Sequence, residues 1–290
     1  QTCNIPPGQT KEQGESVATD LTFSFAPGKA MTCKNRWSDA DAAAAIDDYA
    51  KQGISEDLAL RTYTARLLGA DPQLVLHGGG NTSVKTSVRE LLGEETAVLC
   101  VKGSGWDLAT IEPPGHPAVR LEALQALRRL PALSDEEMVA AQRRNLIDPG
   151  SPNPSVEALL HAFLPNKFVD HTHAVALLAL ADQPDAEHIC RDLFGLRVAI
   201  VPYVMPGFEL ALAAANAYEK AQKQAAEANV ELEGMVLLQH GLFSFGSTAQ
   251  ESYERMISLV REAESRLGQT PKLCLPPQPP ASATENVAAI

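Results

Sequence analysis

The sequence has no long apolar run. Its best uncharged apolar stretch, Ala174–Ala181, falls far short of the roughly 18 residues that a membrane-spanning helix needs. Basic charge is scarce too: 24 Lys and Arg stand against 36 Asp and Glu, a formal net charge of −12. A protein that grips nucleic acid needs a dense cationic footprint, so no nucleic-acid partner is expected. Cysteine is sparse and scattered, as Cys3, Cys33, Cys100, Cys190 and Cys274, an odd number with no CxxC. This excludes a disulfide scaffold and a thiolate zinc knuckle, and points to a reducing, cytoplasmic setting. What remains is ordinary globular material: 290 residues, 45% hydrophobic and 21% charged, enough for a proper core.

Residues 1–34 differ from the rest. They carry Pro6-Pro7-Gly8, lack helical periodicity, and have neither the basic start nor the apolar core of a signal peptide. They read as an N-terminal extension, with Met31 as the natural start or the segment as a genuine arm. Periodic sequence follows. Ser38 with Asp41, and Ser55 before Leu58, Ala59, Thr62 and Ala65, predict two capped helices stopped near Gly53 and Gly69. Strands are expected at Gln73–His77, Asn81–Val88, Ala97–Lys102, Lys167–His173, Arg197–Tyr203, Met235–Gln239 and Leu242–Phe245. Helices are expected at Ala118–Leu130, Asp135–Asn145, Val156–Leu164, Ala174–Leu180, Asp185–Phe194 and Glu209–Asn229. A last helix, Thr248–Leu267, opens on a Thr248/Glu251 capping box. The alternation predicts a mixed sheet covered by helices in one domain, residues 35–268. Residues 269–290 form a Pro-rich tail of the kind that links domains, here to a missing one.

Histidines carry the chemistry. His171 and His173, two apart on a strand, point to one face and can chelate one ion; the same pair also occurs at core edges without one. A third ligand is needed. His240, ending an apolar strand before Gly241, is the leading candidate, and His77 before Gly78 is its rival; His161, His116 and His188 are weaker, the last two read as solvent-facing. Glu157 falls in the first turn of a helix opening at Pro154-Ser155. It is either a partner of the helix dipole or a base beside the metal. Two turns offer backbone N–H groups to an anion, Gly78–Ser83 and Gly103-Ser104-Gly105, though neither is a nucleotide-binding loop.

Taken in order, Gly79–Ser83, Ser104-Gly105, Ser155-x-Glu157, His171-x-His173 and Gln239-His240-Gly241 resemble the class II aldolase/adducin family over most of residues 35–268. The stretch from Lys34–Trp37 through Asp170–Ala174 is similar to the aldolase half of bifunctional rhamnulose-1-phosphate aldolase/alcohol dehydrogenases, in which a dehydrogenase domain follows. The resemblance implies an α/β fold, a three-layer α/β/α sandwich on a mainly antiparallel sheet, in a homo-oligomer, usually a tetramer. It implies His171, His173 and His240 as ligands of Zn2+ or another divalent metal, and Glu157 as the catalytic acid/base. Asn81, Ser104, Gly105 and Ser155 would hold the phosphate of a small phosphorylated sugar. Tyr203 and Tyr218 are candidates for a further acid. One position departs from the family: Val156 stands where sugar-phosphate aldolases commonly carry a second hydroxyl before the glutamate. The implied reaction is retro-aldol cleavage of a ketose 1-phosphate, rhamnulose 1-phosphate first among them. A sugar-phosphate epimerase or dehydratase, or a non-catalytic adducin-like interaction module, is the alternative.

Overall fold

The computed structural model describes residues 33–268; the expected N-terminal extension up to Thr32, the expected start at Met31 and the Pro-rich tail lie outside the described residues. Helices α1 (Asp39–Ala50) and α2 (Glu56–Gly69) come first, followed by strands β1 (Asn81–Arg89), β2 (Glu95–Val101) and β3 (Ala118–Arg120). Then come α3 (Leu121–Ala126), α4 (Asp135–Arg144), α5 (Ala158–Phe163), β4 (Phe168–Thr172), α6 (Val175–Ala181) and α7 (Ala186–Phe194). The remainder is β5 (Val198–Val201), α8 (Phe208–Glu227), β6 (Gly234–Leu237), β7 (Gly241–Gly246) and α9 (Ala249–Gly268). The first two helices start where their serines allow: the Ser38 and Ser55 hydroxyls accept from the backbone N–H groups of Asp41 and Leu58.

The seven strands form one sheet, ordered β3-β2-β1-β4-β7-β6-β5. Every pairing is antiparallel except β5 with β6. Alternation along the strands makes two cores and hence three layers. Leu99, Val101, Val169, Phe243 and Phe245 face one side, against α3, α5 and α8. Val236 and Leu242 face the other, against α2, α6, α7 and α9. Val84, Val98, Cys100 and Phe168 extend that second side beyond β4.

Three expected elements differ. Gln73–His77 is not a strand: the Asp71 carbonyl accepts from the Leu74 and Val75 N–H groups, curling the segment into turns with His77 at φ +50°. Ala118–Arg120 pairs with the free edge of β2, so the expected helix over Ala118–Leu130 shrinks to α3 and one 3-10 turn. The helix expected from Val156 begins at Ala158, because Ser155 N–H donates to the Lys102 carbonyl and Pro154 bridges Gly103, tying the approach to the end of β2. His116, read as solvent-facing, is buried, with Nε2 3.2 Å from the Thr82 hydroxyl. Among the described residues, no helix is long and apolar enough to cross a membrane.

Candidate metal centre

Strand β4 lies inside the sheet, every residue of it buried, and delivers His171 near its end and His173 just beyond it. The connection from β6 to β7 is a tight turn, closed by a bond from His240 N–H to the Leu237 carbonyl with Gln239 at φ +59°. Because β7 pairs with β4, with Thr172 opposite Leu242, that turn sets His240 beside the two other imidazoles. Gly241 makes the approach possible. A Cβ there would lie 2.5 Å from the Thr172 carbonyl oxygen and 2.9 Å from the His171 ring. No other residue fits.

The ligating atoms of His171, His173 and His240 lie within 4.8 Å of one another. His171 is held most firmly: its ring stacks on Phe243, centroids 4.2 Å apart, and its Nδ1–H donates to the Leu242 carbonyl at 3.1 Å. Its Nε2 therefore presents a lone pair to the cluster, 3.0 Å from Nε2 of His173. Burial disfavours a charge on each ring, with the neighbouring imidazoles opposing protonation of His171 and His240. His171 is held well below the usual histidine range, and His240 is lowered to about 4. The shifts all favour the neutral imidazole, the form in which histidine binds a metal.

Glu157 completes the group. It is the N-cap residue of α5 rather than a first-turn residue, and its carboxylate makes no cap bond to the helix. The side chain instead lies across the cluster, Oε2 3.4 Å from His171 Nε2 and Oε1 3.3 Å from His240 Nε2. With metal–nitrogen bonds of about 2.0–2.1 Å, the edge of a tetrahedron is about 3.3 Å. The carboxylate–imidazole separations are close to that edge, the three ligating nitrogens lie within 4.8 Å of one another, and Glu157 Oε1 is buried with no hydrogen-bond partner among the described residues. A cation answers these observations. The residues fit a divalent metal held by three imidazoles, with the carboxylate beside it.

The anion-binding candidates divide. Asn81 and Ser155 are at the site, but Asn81 Nδ2 donates to Glu157 Oε2 at 2.6 Å and to Ser155 Oγ at 3.2 Å. Ser155 Oγ also accepts from the Glu157 N–H. Ser104 and Gly105 are exposed and one loop away; Ser104 N–H donates to the Asn153 carbonyl, beside the Gly103–Pro154 bridge. His77 is exposed and stands apart from the imidazole group. Tyr218 packs edge-on against Phe245 in the interior, while Tyr203 is exposed, its hydroxyl on the Met205 sulfur.

Two further residues belong here: Lys102, which the sequence did not single out, and His161, which it offered only as a weaker third ligand. Lys102, just before Gly103, is buried and donates its ammonium to the Gly78 carbonyl at 2.9 Å, pinning one turn of the site to the other. Burial lowers its pKa, opposed by Asp107 and Glu157. His161 is wholly buried behind Asn81. Its signal was the four-residue step from Glu157, one turn of helix along the same face.

Comparison with known proteins agrees with this architecture. Residues 60–267 match the profile of the Class II Aldolase and Adducin N-terminal domain. The uncharacterized oxidoreductase YuxG of Bacillus subtilis (strain 168) is 38% identical over 202 residues, 70% of this chain and 28% of that relative. The chain thus spans little more than a quarter of that protein. Among solved structures, the N-terminal class II aldolase domain of a conserved protein from Thermoplasma acidophilum is 37% identical, with a TM-score of 0.70. That match covers 81% of this chain and 99% of the other. A sugar-phosphate aldolase from Thermotoga maritima shares the fold at 16% identity and a TM-score of 0.51, covering 73% of this chain and 97% of its own.

Proposed function

This chain belongs to the class II aldolase and adducin family, and from that premise we propose that it is a zinc-dependent lyase that cleaves a ketose 1-phosphate by a retro-aldol reaction. Rhamnulose 1-phosphate, giving dihydroxyacetone phosphate and lactaldehyde, is the substrate put forward. One observation carries the reading: three imidazoles and an unpartnered carboxylate oxygen converge on one point. A purely structural domain has no use for such a set, since it leaves buried polar atoms unsatisfied.

His171, His173 and His240 would hold the ion. When bound, a divalent cation there supplies Lewis-acid polarisation of the substrate's carbonyl and adjacent hydroxyl. The rest is the work of this chain's residues. Breaking the C3–C4 bond leaves its electron pair on C3, next to the C2 ketone, while the C4 hydroxyl passes its proton to solvent and becomes an aldehyde, and solvent restores the proton that Glu157 spends. Glu157 delivers a proton to C3 in the cleavage direction and removes it in the reverse. Its two oxygens are placed unequally for this: Oε2 is bonded to Asn81, and Oε1 is free of any donor. The turns at Gly78–Ser83 and Gly103–Gly105, with Ser155, are the proposed phosphate site, and Val156 leaves it one hydroxyl short of the family pattern. The proposal extends to a homo-oligomer, tetrameric as the resemblance implies, and to a cytoplasmic setting. The oxidoreductase name of the Bacillus relative describes a chain of which the match takes in 28%.

The test is product analysis. Purified protein loaded with zinc and given rhamnulose 1-phosphate should release dihydroxyacetone phosphate, and chelation should stop it. An epimeric sugar phosphate or a dehydrated product would move the chain to the epimerase or dehydratase reading. A sample that binds no stoichiometric divalent metal would leave the adducin-like interaction module.

A further inference from the structure

Behind Glu157 runs a buried chain of side chains that touches none of the proposed ligand atoms. Asn81 and Ser83 are two apart on β1, so both side chains leave the same face of the strand. Glu157 and His161 are four apart at the start of α5, with His161 N–H donating to the Glu157 carbonyl, so they too share a face. Two residues along a strand and four along a helix both advance about 6–7 Å, so the pairs interlock. Ser83 Oγ lies 2.7 Å from His161 Nδ1, His161 Nε2 lies against Asn81 Oδ1, and Asn81 Nδ2 lies 2.6 Å from Glu157 Oε2.

The directions of these bonds follow from donor chemistry. A carboxylate only accepts, so the Asn81 group facing Glu157 is its NH2; the reversed amide would set two acceptor oxygens together. Asn81 then presents Oδ1 to His161, which only accepts as well, so the proton on Nε2 belongs to His161. Burial keeps that ring neutral, so Nδ1 is bare and accepts a hydrogen bond from the Ser83 hydroxyl. Lys85 holds the backbone of this turn, donating to the His161 and Asn166 carbonyls at 2.8 Å each.

We infer that His161 is a positioning residue for Glu157. As the neutral Nε2–H tautomer it fixes the Asn81 amide, which ties down Glu157 Oε2 and leaves Oε1 as the oxygen that handles the proton. The inference deepens the aldolase reading and rests on it for its consequence in catalysis. It needs no exchange of protons along the chain: Ser83, His161 and Asn81 act by orientation alone.

Two substitutions separate orientation from mere filling of space. Gln at 161 can place an N–H where Nε2 stands, keeping the donor to Asn81 and losing the acceptor for Ser83. Asn at 161 reaches only as far as Nδ1, keeping the Ser83 bond and losing the donor. On the full zinc-loaded chain, His161→Gln should stay within about tenfold of the parental kcat. His161→Asn should lose about a hundredfold, the scale of a small misplacement of a reacting group, with KM changed less than threefold. Equal kcat in the two variants, or a loss that follows metal content or melting temperature, overturns the inference. A second readout does not depend on turnover. A long-range 15N–1H correlation spectrum of the histidine-labelled, metal-free chain, with His161→Gln as the assignment control, should show residue 161 as the neutral Nε2–H tautomer at pH 7. The Nδ1–H tautomer or an imidazolium overturns it. If the parent cleaves no ketose 1-phosphate, the aldolase reading fails, and the tautomer alone decides the relay.

Discussion

Asn81 and His171 sit directly opposite one another across the antiparallel β1–β4 pair. One donates to the Glu157 carboxylate and the other presents a nitrogen to the imidazole group, so the proposed acid/base and the proposed ligand are carried at one level of the sheet. Their spacing is set by backbone hydrogen bonds rather than by loops. Such a frame holds reacting groups to a fraction of an ångström.

The ligand assignment makes the first prediction. His171→Ala, His173→Ala and His240→Ala should each abolish tight metal binding, because two imidazoles leave an incomplete shell. His77→Ala should retain it, since His77 is exposed and outside the group. Metal analysis after gel filtration reads both; full occupancy in His240→Ala would remove His240 from the site.

Stability should depend on a pair just below the site. Arg61 and Asp170 are wholly buried and joined by an ion pair; Asp170 also accepts from Ser252 Oγ at 2.6 Å. Breaking one partner strands the other charge in the interior, so Asp170→Ala should cost about 3–5 kcal/mol. Replacing both, as Arg61→Met with Asp170→Leu, should cost less than the single change. Urea unfolding of Asp170→Ala, of Arg61→Met and Asp170→Leu singly, and of the double variant decides it; a double variant as unstable as the sum of its two singles would contradict the account.

The reach of the sequence is uneven, for physical reasons. Helix starts at Ser38 and Ser55 were legible because capping is a local contact within three residues. The Thr248/Glu251 box was half legible: Thr248 Oγ1 accepts from Glu251 N–H, but the Glu251 carboxylate turns back to Ser247. Ala118–Arg120 became a strand because β2 had an edge to offer, and no local pattern announces a distant edge. In the candidate site, the pairing of His171 with His173 was legible from spacing, and His240 was the leading of two candidates for the third ligand, which the structure brings to the pair while His77 stays apart. His161 and Lys102 were not legible in their roles, since their use depends on which helix and turn the sheet brings against them. His116 was misread as solvent-facing because the Pro113–Gly115 turn tucks it under Thr82, a placement that depends on the fold.

That buried histidine gives a pH prediction. Burial, with Arg61 and Lys102 adding to it, lowers His116 from 6.5 to about 3. Between those values the unfolded chain binds a proton that the folded chain refuses, so stability falls as pH drops from about 6.5 toward 3. Each such histidine contributes a slope of about 1.4 kcal/mol per pH unit, and His161 is shifted in the same direction. His116→Gln should flatten the dependence by about one proton. Unfolding free energies at pH 7, 6 and 5 measure it; an unchanged slope would mean that His116 is protonated in the fold.

The sharpest prediction is Glu157→Gln. As a partner of the helix dipole the side chain would contribute only about 0.3–1 kcal/mol, and the carboxylate makes no bond to its own helix. Its contacts run instead to Asn81 and the imidazoles, so its loss should be felt in chemistry rather than in folding. Glutamine keeps the shape but cannot take and return a proton, and positioned proton transfer is worth about 10²–10⁴-fold in rate. The variant should therefore keep its melting temperature within a few degrees, retain its metal on the three imidazoles, and cleave ketose phosphate at least a hundredfold more slowly. Three measurements on one protein separate the possibilities. Lost metal would make Glu157 a ligand first and a base second. A lower melting temperature with parental rate would return it to a structural role. Intact metal and fold with a collapsed rate is the outcome that the acid/base reading requires, with Oε1 beside the imidazoles and bonded to no donor.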